Sequence, residues 1–174
     1  QIDFIIHSAG YSAPADFMAD PLNTIDLSVQ GVRWLLDLAV KNKSESFLYV
    51  SSSEIYGSPP ADKIPTPETY NGNVDTRALR ACYTEGKRLA EVLCFVYQKK
   101  FNLPAKIVRP ALNYGPGMLI TDKRVMVDFI RKAMSGEPVV MQSPGLDKRC
   151  YCYLADAASA FWQVLLSDKN GEVF

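Results

Sequence analysis

Short apolar runs alternate with longer stretches of helical periodicity along the chain. Asp3 to Ala9 carries Phe-Ile-Ile and ends in small residues, the pattern of a strand buried in a parallel sheet. After a loop with Gly10, Pro14 and Pro21, apolar residues recur at Leu22, Ile25, Val29, Val32, Leu36 and Ala39. That spacing predicts a helix from about Leu22 to Lys41. Ser46 to Ser51 reads as a second buried strand. A Pro-rich loop from Gly57 to about Val74 follows, long enough to suggest a functional segment or lid. A strong helix is predicted over about Thr76 to Phe101, with Pro104 marking its exit, and Ala105 to Val108 forms a third strand. Beyond the turn Asn113-Tyr-Gly-Pro116, a helix near Val125 to Met134 is stopped by Gly136. Short strands are predicted at Pro138–Met141 and Arg149–Leu154, then a helix from Asp156, as N-cap, to Leu166. Gly171-Glu-Val-Phe174 begins one more strand.

Strands alternating with amphipathic helices predict an α/β fold with a parallel sheet. Three sheet strands precede the irregular part and the last strand stops mid-run, which reads as the middle of a doubly wound domain. An opening strand without lead-in or initiator Met fits the same expectation of an internal fragment.

Composition narrows the function classes. Of the 174 residues 48% are hydrophobic and 22% charged, as in an ordinary folded protein. Nineteen Lys and Arg balance nineteen Asp and Glu, so no field gathers polyanions, and neither nucleic acid nor a membrane is an expected partner. No apolar run reaches the roughly 18 residues of a membrane span, and Gln1 to His7 lacks the form of a signal peptide. A cytoplasmic location is the expectation. Cys82 and Cys94 lie in a helical segment, and Cys150 and Cys152 in a strand-like run. Without CxxC spacing, and with His7 as the one histidine, neither a metal site nor a disulfide framework is expected. His7 reads as a satisfied structural residue, Trp34 and Trp162 as core, and Tyr151 and Tyr153 as sheet packing.

The candidate chemistry starts with Tyr83 and Lys87, four apart and so on one helix face. A phenol titrates near pH 10 and needs help to act as a base; an ammonium one turn away favours the phenolate and can bond a ribose. The spacing alone is common on helices. Just past the second strand, however, stands Ser51-Ser-Ser-Glu-Ile-Tyr-Gly57. Ligands of open α/β sheets sit outside the carboxyl ends of strands, where a serine hydroxyl can bond a substrate oxygen while Tyr83 takes its proton. Turn chemistry is the plainer reading of three serines after a strand.

Five segments in order carry a resemblance over nearly the whole chain: Asp3-Phe-Ile-Ile-His-Ser-Ala9, Ser51 to Gly57, Tyr83-Thr-Glu-Gly-Lys87, Arg109-Pro110 with Asn113-Tyr-Gly-Pro116, and Arg149 before the final helix. The sequence resembles the extended short-chain dehydrogenase/reductase family, the NAD-dependent nucleotide-sugar epimerases, dehydratases and decarboxylases. The resemblance implies a partial doubly wound, Rossmann-like parallel sheet with the start of a smaller substrate-binding region. Residues 1–110 would be the later part of the NAD-binding domain, its Gly-rich loop absent here. Residues 111–174 would begin the nucleotide-sugar region and add a returning strand and helix. It implies Ser52, Tyr83, Lys87 and Glu54 as catalytic residues, with Tyr83 as base and Lys87 on the nicotinamide ribose. Ala9 and Gly10, with Tyr83 and Lys87, would meet the cofactor NAD; Ser53, Arg124 and Arg149 would meet substrate, Arg149 at the diphosphate.

Within that family, Ser53-Glu54 replaces the Asp-Glu of the 4,6-dehydratases, which need an acid to expel a hydroxyl. Together with Arg80-Ala-Cys-Tyr-Thr-Glu-Gly-Lys-Arg-Leu-Ala-Glu91 and Asp122-Lys-Arg124, it is most similar to the UDP-glucuronate decarboxylases. The implied reaction oxidises C4 with NAD, loses CO2 from the β-keto acid and reduces the ketone again. Leu112, Ser28 and Gly117 stand where that pattern has Asn, Asn and Arg, so a different nucleotide sugar stays open. The alternatives are a 4-epimerase or 4,6-dehydratase, or a non-catalytic relative that senses NAD. The fragment alone is expected to be inactive and to bind NAD weakly, and the whole protein to form a homodimer through its Tyr–Lys helix.

Overall fold

In a computed structural model, residues 1–122, 124–141, 143–146 and 148–174 are described. Three parallel strands, β1 (Phe4–His7), β2 (Ser46–Val50) and β3 (Ala105–Val108), lie side by side in that order. Ile6 pairs with Leu48, and Leu48 in turn with Lys106. Val173, near the end of the chain, bridges to Ile107 and extends the same sheet.

The alternation along β2 decides which layer each side chain enters. Phe47 and Tyr49 point into a core with Val32, Leu36 and Ala39 of one helix and Ala90, Cys94 and Tyr97 of another. Leu48 packs on the opposite face with Val108, Phe161 and Leu165. Helices therefore cover both faces, which is why β2 reads as continuously apolar rather than alternating. Lys106 is the exception: buried in β3, it donates to Ser46 Oγ (2.7 Å) and Leu165 O (3.0 Å).

Between β1 and β2, α1 (Pro14–Ala19) leads into α2 (Pro21–Asp26), with Pro21 at the first helical position and the Asp20 carboxylate accepting from Asn23 N–H. A π-helical turn over Leu27–Gly31 joins α2 to α3 (Val32–Asn42). The expected single helix is thus one rod with a widened turn. Lys43, in the left-handed region at φ 54°, ends it.

The next helix, α4 (Ala81–Phe101), begins five residues later than the periodicity predicts, because residues 75–80 form hydrogen-bonded turns. Gly86 lets it approach the π turn: a Cβ there would stand 2.9 Å from Ser28 Cβ. A second parallel pair, β4 (Leu112–Tyr114) with β5 (Tyr151–Tyr153), carries α5 (Val125–Ser135) and α6 (Leu154–Leu166).

Four expectations need correction. Pro138–Met141 forms no strand; its described residues are exposed and find no ladder partner. Asp156 lies in the first turn of α6 rather than at its cap, since Leu154 already begins the helix. Trp34 and Trp162 are 70% and 55% exposed, outside the core. Apolar periodicity marks a helix face, but only packing shows what covers it. His7 is buried, yet its Nδ1 finds no hydrogen-bond partner, so it is not a satisfied core histidine. Tyr151 and Tyr153 do pack edge-on against Tyr114, and all four cysteines are free thiols.

Candidate active site

At the carboxyl end of β2 the chain leaves the sheet without losing its register. Ser51 N–H donates to Val108 O (2.8 Å) and Ser53 N–H to Pro110 O (3.0 Å). Ser52 is extended, and its Oγ accepts from Glu54 N–H at 3.1 Å, capping the 3₁₀ turn Ser53–Tyr56. The serine run therefore does the turn chemistry expected of it and also leaves Ser52 facing α4.

Tyr83 and Lys87 stand one turn apart in the first half of α4, 7% and 8% exposed. Lys87 Nζ donates to Val50 O at 2.8 Å and lies 5.8 Å from the Tyr83 ring centre. The Tyr83 ring stacks on Phe17 of α1, with centres 4.7 Å apart and planes 9° from parallel. Burial raises the Tyr83 phenol above its ordinary range; the Ser52 hydroxyl, as hydrogen-bond partner, lowers it, Glu54 raises it and Arg80 lowers it. Burial depresses the Lys87 ammonium to about 8, against the pull of Glu91. The structure thus brings Ser52, Tyr83 and Lys87 together, with a cation close to its titration point beside a phenol that resists ionising.

Glu54 stands at the mouth of this group, its Oε2 accepting from Arg80 Nη2 (2.6 Å) and Nε (3.1 Å). Both side chains are half exposed, so the pair has little worth as a source of stability. Ala9 and Gly10 follow β1 directly, and no atom lies within 4 Å of a Cβ placed on Gly10. Ser53 opens the 3₁₀ turn. Arg124 precedes α5 and is held by Asp122, whose carboxylate its guanidinium keeps below the usual range. Arg149 stands exposed just before β5. Lys123, in the same similar stretch, lies outside the described residues.

Periodicity and motif missed three supporting residues. Phe17 sits in a segment with no clear pattern, so nothing in the sequence marked it as the stacking partner of Tyr83. Arg80 and Glu91 were legible only as part of a similar stretch; the one-turn spacing of Lys87 and Glu91 was the available signal. Among the described residues, no group of three or more His, Cys, Asp or Glu is placed to hold a metal ion, and no helix is long and apolar enough to cross a membrane.

The model of the NAD dependent epimerase/dehydratase family matches residues 1–174. The chain belongs to that family. It is 37% identical over 173 residues to UDP-glucuronic acid decarboxylase 5 of Arabidopsis thaliana, covering 99% of this chain and 50% of that protein. In fold it is similar to UDP-glucose 4-epimerase of Thermotoga maritima, solved with UDP-glucose, at a TM-score of 0.89 and 23% identity, over 99% of this chain and 54% of that one. It is also similar to the dTDP-glucose 4,6-dehydratase of Bacillus anthracis in complex with NAD, at a TM-score of 0.81 and 24% identity, over 99% and 50%. The chain spans about half the length of the curated relatives it matches. Tyr83 and Lys87 lie on α4, the helix between β2 and β3 of the parallel sheet.

Proposed function

We propose that the protein carrying this chain is an NAD-dependent decarboxylase acting on a UDP-glucuronate-like nucleotide sugar. The observation that carries the reading is the buried Tyr83–Lys87 pair set against Ser52 at the end of β2. The 37% identity to a UDP-glucuronic acid decarboxylase supports the substrate class.

The residues fit the nicotinamide-ribose end of NAD. Gly10 leaves open space beside the backbone, and an ammonium with three donors gives one to Val50 O. Ala9, Gly10, Tyr83 and Lys87 would hold that end. NAD bound there would supply an acceptor for the C4 hydride and later its donor.

Tyr83 takes the C4 hydroxyl proton as the ketone forms, and Lys87 stabilises the phenolate that does so. Ser52 Oγ bonds the same C4 oxygen and holds it within reach of Tyr83. The ketone lies β to the sugar carboxylate, so CO2 leaves with its bonding electrons flowing towards the C4 oxygen. A proton is then needed at C5, and Glu54, held by Arg80, manages it in this reading. Tyr83 finally returns its proton as the C4 hydroxyl re-forms.

Ser53 would line the sugar site and Arg124 and Arg149 would bind substrate, Arg149 pairing with the diphosphate as a planar guanidinium can. In this reading residues 1–110 belong to the cofactor domain and 111–174 to the nucleotide-sugar region. Exposed Leu89, Val92 and Val96 on α4, beside a hollow of about 480 Å³ lined with Phe95, support a homodimer through that helix. Free thiols suit a reducing compartment such as the cytoplasm. The test is to incubate the full-length protein with NAD and UDP-glucuronate while following CO2 and transient NADH. Both are expected; neither appearing with UDP-glucuronate, while another nucleotide sugar is turned over, overturns the substrate.

A further inference from the structure

We propose that Glu91 is a positioning residue for the Tyr83–Lys87 pair: it clamps the Ser51–Ser52 step against α4 and supplies the anion that faces Lys87. The inference rests on the roles assigned to Ser52, Tyr83 and Lys87 above.

Glu91 is 5% exposed and lies one turn beyond Lys87 on the same helix face. Its Oε1 accepts from Ser51 Oγ at 2.5 Å and from Arg109 Nε at 3.0 Å, and its Oε2 from Arg109 Nη2 at 2.6 Å. Arg109, at the end of β3, also donates through Nη1 to Tyr56 OH (3.0 Å) and Glu68 O (2.8 Å). One carboxylate thus ties α4 to the ends of β2 and β3 and, through Arg109, to the 3₁₀ turn and the Pro-rich loop.

The neighbouring bonds explain why this matters at the site. Val50 O receives Lys87, Ser51 Oγ reaches Glu91, and Ser52 is the next residue along. Successive residues of β2's end are therefore pinned to successive turns of α4. A displacement of about 1 Å at such a point can cost on the order of a hundredfold in rate. Stability alone does not account for the pair, since a buried ion pair is often no better than apolar packing.

Charge leads to the same place. Lys87 is faced by His7 from β1, Tyr49 from β2, and Tyr83 and Glu91 from its own helix, with Arg109, just past β3, bound to Glu91. Burial favours its neutral form, and Glu91 opposes that. An ammonium that loses its proton too readily no longer favours the Tyr83 phenolate.

The experiment is Glu91→Gln in the full-length protein, which keeps the shape and an acceptor for Ser51 but removes the charge. Expected are a fall in kcat of about tenfold or more with KM within about twofold, and a Lys87 side-chain titration, read by NMR, displaced to lower pH. Glu91→Asp restores part of both. A folded Glu91→Gln protein whose Lys87 titrates as in the parent overturns the electrostatic role. The NMR reading needs no substrate, so it decides on Glu91 even where UDP-glucuronate proves wrong. If the lone Arg109 charge prevents folding, Glu91→Gln with Arg109→Gln removes both charges; parental kcat or titration in that protein overturns the proposal. Ser51→Ala leaves the charge pair in place, and parental kcat there overturns the clamp.

Discussion

Two regions of this chain treat their side chains in opposite ways. Around β2 and α4, polar groups are buried and tied together: Lys87 to Val50 O, Ser51 and Arg109 to Glu91, Arg109 to Tyr56. Around β4, β5 and α5, apolar groups are exposed instead. A shallow cleft of about 370 Å³ is lined by Tyr114, Val125, Met126, Phe129, Ile130 and Tyr151, and Met134 is 80% exposed. In the first region Lys87, Glu91 and Arg109 each have a hydrogen-bond partner, because an unpaired buried charge costs several kcal/mol. The second region carries strong helical amphipathicity on α5 but packs only one buried residue from it, Val127. Burial, rather than residue type, separates a positioned functional group from one that is merely present.

The sharpest way to break that contrast is Tyr83→Phe in the full-length protein. It removes the phenolic oxygen from the candidate site while keeping the ring stacked on Phe17, so turnover should fall by about 10³-fold or more with an unchanged circular dichroism spectrum. Parental rates would remove Tyr83 from the role of base. Phe47→Ala cuts into the core beneath the same site and should cost about 3–5 kcal/mol in denaturant unfolding, since Phe47 is fully buried between the sheet and two helices. A loss below about 1 kcal/mol would mean that this layer collapses freely. Ser52→Ala should lower kcat on the order of tenfold to a hundredfold, because in the proposed mechanism it removes the hydroxyl that bonds the C4 oxygen and Tyr83, and it leaves Lys87 in place.

Smaller effects concern charge and surface. Lys87 is depressed to about 8 in the folded chain from an ordinary 10.5. Between those values the unfolded chain holds the proton and the folded one does not, so this group's contribution makes stability rise with pH across that window. The cost of keeping it charged is fully present below about 8. Lys87→Met should flatten the pH dependence of unfolding between pH 8 and 10.5, and an unchanged slope would place the shift elsewhere. Met134→Ser, in the exposed region, should stay within about 0.5 kcal/mol of the parent in the same assay.

Much of the fold was legible before the structure. The apolar runs at Ser46–Val50 and Ala105–Val108 are strands whose residues face helices on both sides, whereas in Phe4–His7 only Ile5 and His7 turn inward and Phe4 and Ile6 stay exposed. The helix stops at Pro104 and Gly136 followed from local backbone chemistry, while the left-handed Lys43 that ends α3 was not foreseen. Errors gathered where local pattern lacks a tertiary answer. Pro138–Met141 has strand-like residues but no neighbouring strand to bond, and Trp34 is apolar on a helix face that α3 does not bury. Ser52, Tyr83 and Lys87 were visible because a motif needs only residue types and spacing. Phe17 was not, because stacking on Tyr83 depends on where α1 lands.

The sequence by itself determined the alternation of strands and helices, the family, and the one-turn spacing that puts Tyr83 and Lys87 on one face. Those are consequences of periodicity and residue chemistry that act within a few turns of chain. Only the tertiary structure decided that Lys87 is buried against Val50 O, that Glu54 is taken up by Arg80, and that Glu91 spans three elements to reach Ser51 and Arg109. Each of these joins residues distant in sequence. Desolvation, which sets the proton affinities of Tyr83 and Lys87, arises only once the layers have closed around them.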